Sequence, residues 1–100
     1  MTSYLITGSS RGIGLEITRQ LVESDAEITV FAAARSVSAS GFKELLERHP
    51  TQIIHVPLEV TSEDSIKAAV SLVTTKLNGR GLDVLINNAG VMNSARLEDM

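Results

Sequence analysis

Residues 5–14 read LITGSSRGIG: a short apolar run, then Gly8, Gly12 and Gly14, with serines and Arg11 between them. Each glycine weakens regular structure, so a cluster of them at the end of a strand-like run needs a purpose. A helix N-terminus presents unpaired N–H groups with partial positive charge, and these attract phosphate. Glycine there lets a ligand approach the backbone and lets the helix pack against the strand. The spacing Gly8-x3-Gly12-x-Gly14 is not G-x-G-x-x-G, and no Gly-Lys-Ser/Thr follows that would make a P-loop. What favours a phosphate site over a merely tight turn is its position between a first strand and a first helix.

The rest of the chain supplies that context. Residues 3–7 read as a buried strand stopped by Gly8. From Ile13 the period changes: Ile13, Ile17, Leu21 and Val22 share a helical face that ends near Ser24 and Asp25. The unbroken apolar run at 28–34, ITVFAAA, predicts a strand buried on both faces. A polar loop at 35–41 leads to a short helix over 42–48, closed by His49-Pro50. A third strand is expected over 52–58, with Pro57 marking its end or an edge position. Thr61-Ser62-Glu63-Asp64 signals a capped helix start, and Ile66, Ala69, Val70, Val73 and Leu77 give that helix its apolar face. Asn78-Gly79 stops it, and residues 82–86 predict a fourth strand before Asn87-Asn88-Ala89-Gly90. Strands alternating with helices mean an α/β fold, a parallel sheet of the Rossmann type with helices on both faces, strand order 3-2-1-4.

Bulk composition narrows the function. The chain has 100 residues, enough for one small domain, and 43% are hydrophobic. A net charge of −3 and few aromatic residues argue against a nucleic-acid partner. No run is long enough to span a membrane, and the N-terminus has no signal-peptide pattern. The absence of cysteine excludes disulfides and thiolate chemistry and suits a reducing, cytoplasmic setting. No ligand spacing suggests a metal.

The second strand discriminates between cofactors. An NAD site places an acid about 20 residues past the glycines, to hold the ribose 2′-hydroxyl. This chain has Ala34-Arg35-Ser36 there instead. A guanidinium suits a 2′-phosphate, so the expected cofactor is NADP(H), with Arg11 a second positive charge.

The segment Thr7-Gly8-Ser9-Ser10-Arg11-Gly12-Ile13-Gly14 resembles the TGxxxGIG motif of the short-chain dehydrogenase/reductase family, and Asn87-Asn88-Ala89-Gly90 resembles that family's NNAG motif. The two stand at the family's usual separation, and the likeness covers essentially the whole chain. VFAAAR and LDVLINNAGV are also similar to the carbonyl-reductase subgroup that includes the sniffer and C-factor proteins. The resemblance implies that Gly8, Ser10, Arg11, Gly12, Ile13 and Gly14 surround the pyrophosphate and nicotinamide ribose. It further implies that Arg35 and Ser36, with Arg11, hold the 2′-phosphate, and that Asn87, Ala89 and Gly90 flank the adenosine ribose and the middle of the cofactor. Asn88 would brace the sheet. Where the family most often has Asp-Val against the adenine, this chain has Glu59-Val60, with one methylene more of reach.

The resemblance also implies an NADP(H)-dependent oxidoreductase acting on a small carbonyl or alcohol. Family members are more than twice as long, and their catalytic serine and Tyr-x-x-x-Lys pair lie in the second half. Here Tyr4 is the one tyrosine, and Gly8, not lysine, stands four residues on. His49 and His55 read as structural. The chain is therefore expected to be the cofactor-binding half of such an enzyme, inactive alone. The other readings are a non-catalytic NADP(H)-binding module and an inactive truncated product. An open edge on the fourth strand would be a template for aggregation or for a homo-oligomer.

Overall fold

The computed structural model describes residues 2–37 and 39–88. Among the described residues strand and helix alternate: β1 (Thr2–Thr7), α1 (Gly12–Ser24), β2 (Ile28–Ala34), α2 (Ser40–Arg48), β3 (Ile53–Pro57), α3 (Glu63–Leu77) and β4 (Val84–Ile86). All pairings are parallel, and the sheet order is β3-β2-β1-β4. This is the order expected from the sequence, and it is the arrangement of the first half of a Rossmann-type sheet.

The period-two geometry of β2 explains the unbroken apolar run. Ile28, Val30, Ala32 and Ala34 face one side, where they join Ile6, Val22, Phe42, Leu45 and Ile53 under α1 and α2. Phe31 and Ala33 face the other, with Val56 and the α3 residues Ala69, Val73 and Leu77. β2 thus contributes to two cores and has no solvent face. β3 ends on Pro57 and lies at one edge of the sheet, where a residue lacking an N–H leaves no partner unserved.

Three sequence expectations change. In α1 the buried line is Gly14, Thr18 and Val22, while Ile13 is 66% exposed. Small residues bring the helix close to the sheet, and the Thr18 hydroxyl is satisfied by the Gly14 carbonyl at 2.8 Å. That contact turns the helix so that Ile13 faces outward, with Leu15, Ile17 and Leu21 packing at the margins of the core. In α3, Ile66 and Val70 are 42% and 60% exposed. They rim an open apolar crevice of about 330 Å3 between that helix and Leu5, Leu58 and Leu82. Finally, β4 starts at Val84 rather than residue 82, because Asp83 pairs through its side chain. Its carboxylate accepts from the Ser3 N–H at 2.8 Å and from the Ser3 hydroxyl at 3.2 Å, replacing ladder bonds. No helix among the described residues is long and apolar enough to cross a membrane.

Candidate functional site

Four strands end on the same side of the sheet, and the segments leaving them line one crevice of about 520 Å3. In an open parallel sheet, ligands bind beyond the carboxyl ends of the strands, where the order reverses. Here the reversal falls between β1, which pairs with β2, and β4 on its other side.

The segment leaving β1 is built tightly. Gly8 and Gly12 have φ of 68° and 59°, in the left-handed region that glycine enters without strain. Ser9 is fully buried between them: its N–H donates to the Ala33 carbonyl at 3.1 Å, and its hydroxyl donates to the Ile6 carbonyl at 2.6 Å. The two later glycines serve different needs. A Cβ on Gly12 would meet nothing within 4 Å, so its backbone faces open space. A Cβ on Gly14 would run into the Gly8 carbonyl and approach Asn88 Nδ2 to 2.9 Å. Gly12 therefore leaves room in the crevice, and Gly14 lets α1 touch the strand ends.

The start of α1 has no side-chain cap and no acid in its first turn. The start of α3 is the reverse. Ser62 Oγ accepts from the Ser65 N–H at 3.2 Å, and Glu63 and Asp64 follow. α3 thus caps one N–H of its first turn with its own side chain, whereas the start of α1 opens on the crevice with no such acceptor.

The facing wall comes from β2 and β3. Ala33, Ala34, Arg35 and Ser36 leave β2, and Leu58, Glu59, Val60 and Thr61 leave β3. The Arg35 side chain is 79% exposed and lies 3.5 Å from the Glu59 carboxylate. Thr61 Oγ1 donates to Glu59 Oε2 at 2.8 Å. That hydroxyl holds the Glu59 carboxyl below the usual carboxylate range, and Arg35 adds to the effect. Beside β1, the Thr7 hydroxyl donates to Asn87 Oδ1 at 3.0 Å and accepts from the Asn88 N–H at 2.8 Å. Asn88 is buried, and its side-chain amide donates to the Gly8 carbonyl at 3.4 Å.

Of the residues expected to hold a cofactor, Gly8, Ser10, Arg11, Gly12, Arg35, Ser36, Glu59 and Val60 all line this crevice. Ile13 projects outward from the first turn of α1, Gly14 is packed beneath it, and Asn87 is bonded to Thr7. Ala89 and Gly90 lie outside the described residues. The sequence pattern does not mark Ala33, Ala34, Leu58 or Thr61 as lining residues; the first three read as strand positions and Thr61 as part of a helix start. His55 is structural: its Nε2 lies 3.0 Å from the Ala34 carbonyl, and its ring meets Phe42 edge-on.

A nicotinamide dinucleotide fits these features. An uncapped helix start, open backbone at Gly12, and a cation and hydroxyl at the end of β2 lie around one cleft. Residues 2–100 match the short chain dehydrogenase family. The short-chain dehydrogenase/reductase AacuF of Aspergillus aculeatus is 38% identical over 92% of this chain and 34% of its own. NADPH-bound carbonyl reductase from chicken fatty liver is 43% identical with a TM-score of 0.81, over 89% of this chain and 34% of that one. The Sniffer protein of Caenorhabditis elegans is 37% identical with a TM-score of 0.76, over 87% of this chain and 36% of that one. The chain thus spans about a third of the length of these relatives.

Proposed function

Since the chain belongs to the short chain dehydrogenase family, we propose that its crevice holds NADP(H) and that the natural protein is an oxidoreductase acting on a small carbonyl compound or alcohol. The observation that carries the reading is Arg35. It leaves the end of β2 beside Ser36, across the crevice from the glycine turn, where a cofactor without a 2′-phosphate would call for a carboxylate. A guanidinium there gains from phosphate and has nothing comparable to gain from a hydroxyl. The likeness to an NADPH-bound carbonyl reductase supports the same choice.

These residues have defined parts in the reading. The N–H groups at the start of α1 take the pyrophosphate, and Gly12 lets it approach. Arg35 and Ser36, with Arg11, select the phosphorylated ribose. A nicotinamide cofactor held there would supply redox chemistry, with hydride passing between nicotinamide C4 and the carbonyl carbon in either direction. Tyr4 lies in β1 and packs against the core beneath α1 and α2. It is the sole tyrosine of these 100 residues, and Gly8 rather than a lysine stands four residues after it, so no proton donor to the carbonyl oxygen is assigned among them. The lack of cysteine supports a cytosolic setting.

The experiment is cofactor oxidation by the intact natural protein with a panel of aldehydes and ketones. NADPH should be consumed faster than NADH at equal concentration, and Arg35→Asp should reverse or abolish that preference. Binding without turnover of any substrate would leave a nucleotide-holding module rather than an enzyme. Equal use of both cofactors would remove the role given to Arg35.

A further inference from the structure

Glu59 is anchored more firmly than an exposed carboxylate needs to be. Its backbone N–H donates to Ser65 Oγ at 2.8 Å, and its carbonyl accepts from the Ser62 N–H at 3.0 Å. Thr61 Oγ1 holds Oε2 at 2.8 Å. Serine and threonine hydroxyls around the start of α3 thus fix both the backbone and one carboxylate oxygen. The other oxygen, Oε1, is left facing Arg35 Nη1 at 3.5 Å. Arg35 is the mobile partner by comparison, being 79% exposed on a long flexible stem, against 39% for the Glu59 side chain.

We propose that Glu59 is a specificity-determining residue of the crevice, a built-in anion that competes with a ligand phosphate for Arg35. The inference rests on the reading of the crevice as an NADP(H) site. A phosphate bound to the guanidinium must displace Oε1 from Nη1 or share that edge of the fork with it. Either way a fixed negative charge stays a few ångströms from the phosphate, and the two repel. A cofactor without the 2′-phosphate meets neither cost. Glu59 therefore narrows the discrimination that Arg35 provides. Because the pair is solvated, the effect is modest and fades as salt screens it.

Glu59→Gln removes the charge while keeping the length and an oxygen for Thr61. Glu59→Asp keeps the charge but draws it back from Arg35 by one methylene. The test is the dissociation constants of NADPH and NADH for the intact natural protein and these variants, with and without Arg35→Ala, at low and high salt. The ratio of the NADH constant to the NADPH constant should rise about two- to fivefold in Glu59→Gln at low salt. The rise should be smaller in Glu59→Asp, smaller at high salt, and smaller again when Arg35 is alanine, where only the direct repulsion between carboxylate and phosphate remains. A ratio that stays level or falls in both Glu59 variants overturns the competition, as does an equal rise without Arg35. Wild-type protein that binds neither nucleotide would remove the cofactor reading itself; binding of both with an unmoved ratio removes only the role of Glu59.

Discussion

Gly12 and Gly14 stand two positions apart in one turn and answer to different neighbours. Gly12 needs a positive φ and faces open space, whereas Gly14 lies against the Gly8 carbonyl and the Asn88 amide. Gly14→Ala should therefore destabilise the fold by about 1–3 kcal/mol, the usual cost of overpacking. Gly12→Ala carries the strain of an L-residue at positive φ, about 1–2 kcal/mol, and it also narrows the path of the pyrophosphate. Thermal melts with NADPH titrations check this: Gly12→Ala should lose a larger share of binding than of stability, and Gly14→Ala the reverse. The glycine spacing was enough to announce a phosphate turn. It did not tell which glycine was packed and which was open, because the atoms that fill the space at Gly14 include Asn88, far along the chain. Thr61 escaped for a related reason: a hydroxyl near a helix start reads as a cap, and the actual cap is its neighbour Ser62.

At the scale of the element, α1 and α3 show how far periodicity carries. It located both helices. It widened their buried faces to take in Ile13, Ile66 and Val70, which are exposed. A 3.6-residue period gives the direction of an apolar face, and the neighbouring element sets its width. In α1 that contact runs through Gly14 and Thr18, which no hydrophobic pattern selects. Ser62→Ala should cost α3 about 1 kcal/mol by removing the acceptor for the Ser65 N–H, read as a lowered denaturation midpoint with an unchanged slope. The exposed face of α1 carries a pH-dependent contribution. Arg19, by hydrogen bonding, and then Gln20 hold the Glu16 carboxyl below the usual carboxylate range. A lowered folded-state value means the contribution is present above the unfolded-state value and is lost as pH falls through the folded one. Glu16→Gln should flatten the acid side of the stability profile, and an unchanged profile would assign the acid loss to other carboxylates.

For the whole molecule, the sheet order is legible because β2 carries apolar residues at every position but Thr29 and so must be interior, while Pro57 suits an edge. Phe31 is the largest side chain that β2 sends to the α3 face, and it is essentially fully buried. Phe31→Ala should cost about 3–5 kcal/mol, seen as a large drop in melting temperature; a small drop would mean that this second core contributes little. The same topology gathers the ends of all four strands around one crevice, so that residues from distant parts of the sequence meet there. Motifs identified the separate walls of that crevice. The contact between two of them, Arg35 with Glu59, came only from the fold.

The most direct test of the cofactor assignment is a calorimetric titration of the intact natural protein with NADPH and, separately, with NADH. NADPH should bind roughly tenfold tighter or more, the scale of a charge-assisted hydrogen bond to phosphate. Equal affinities, or tighter binding of NADH, would contradict the assignment of Arg35 to the 2′-phosphate.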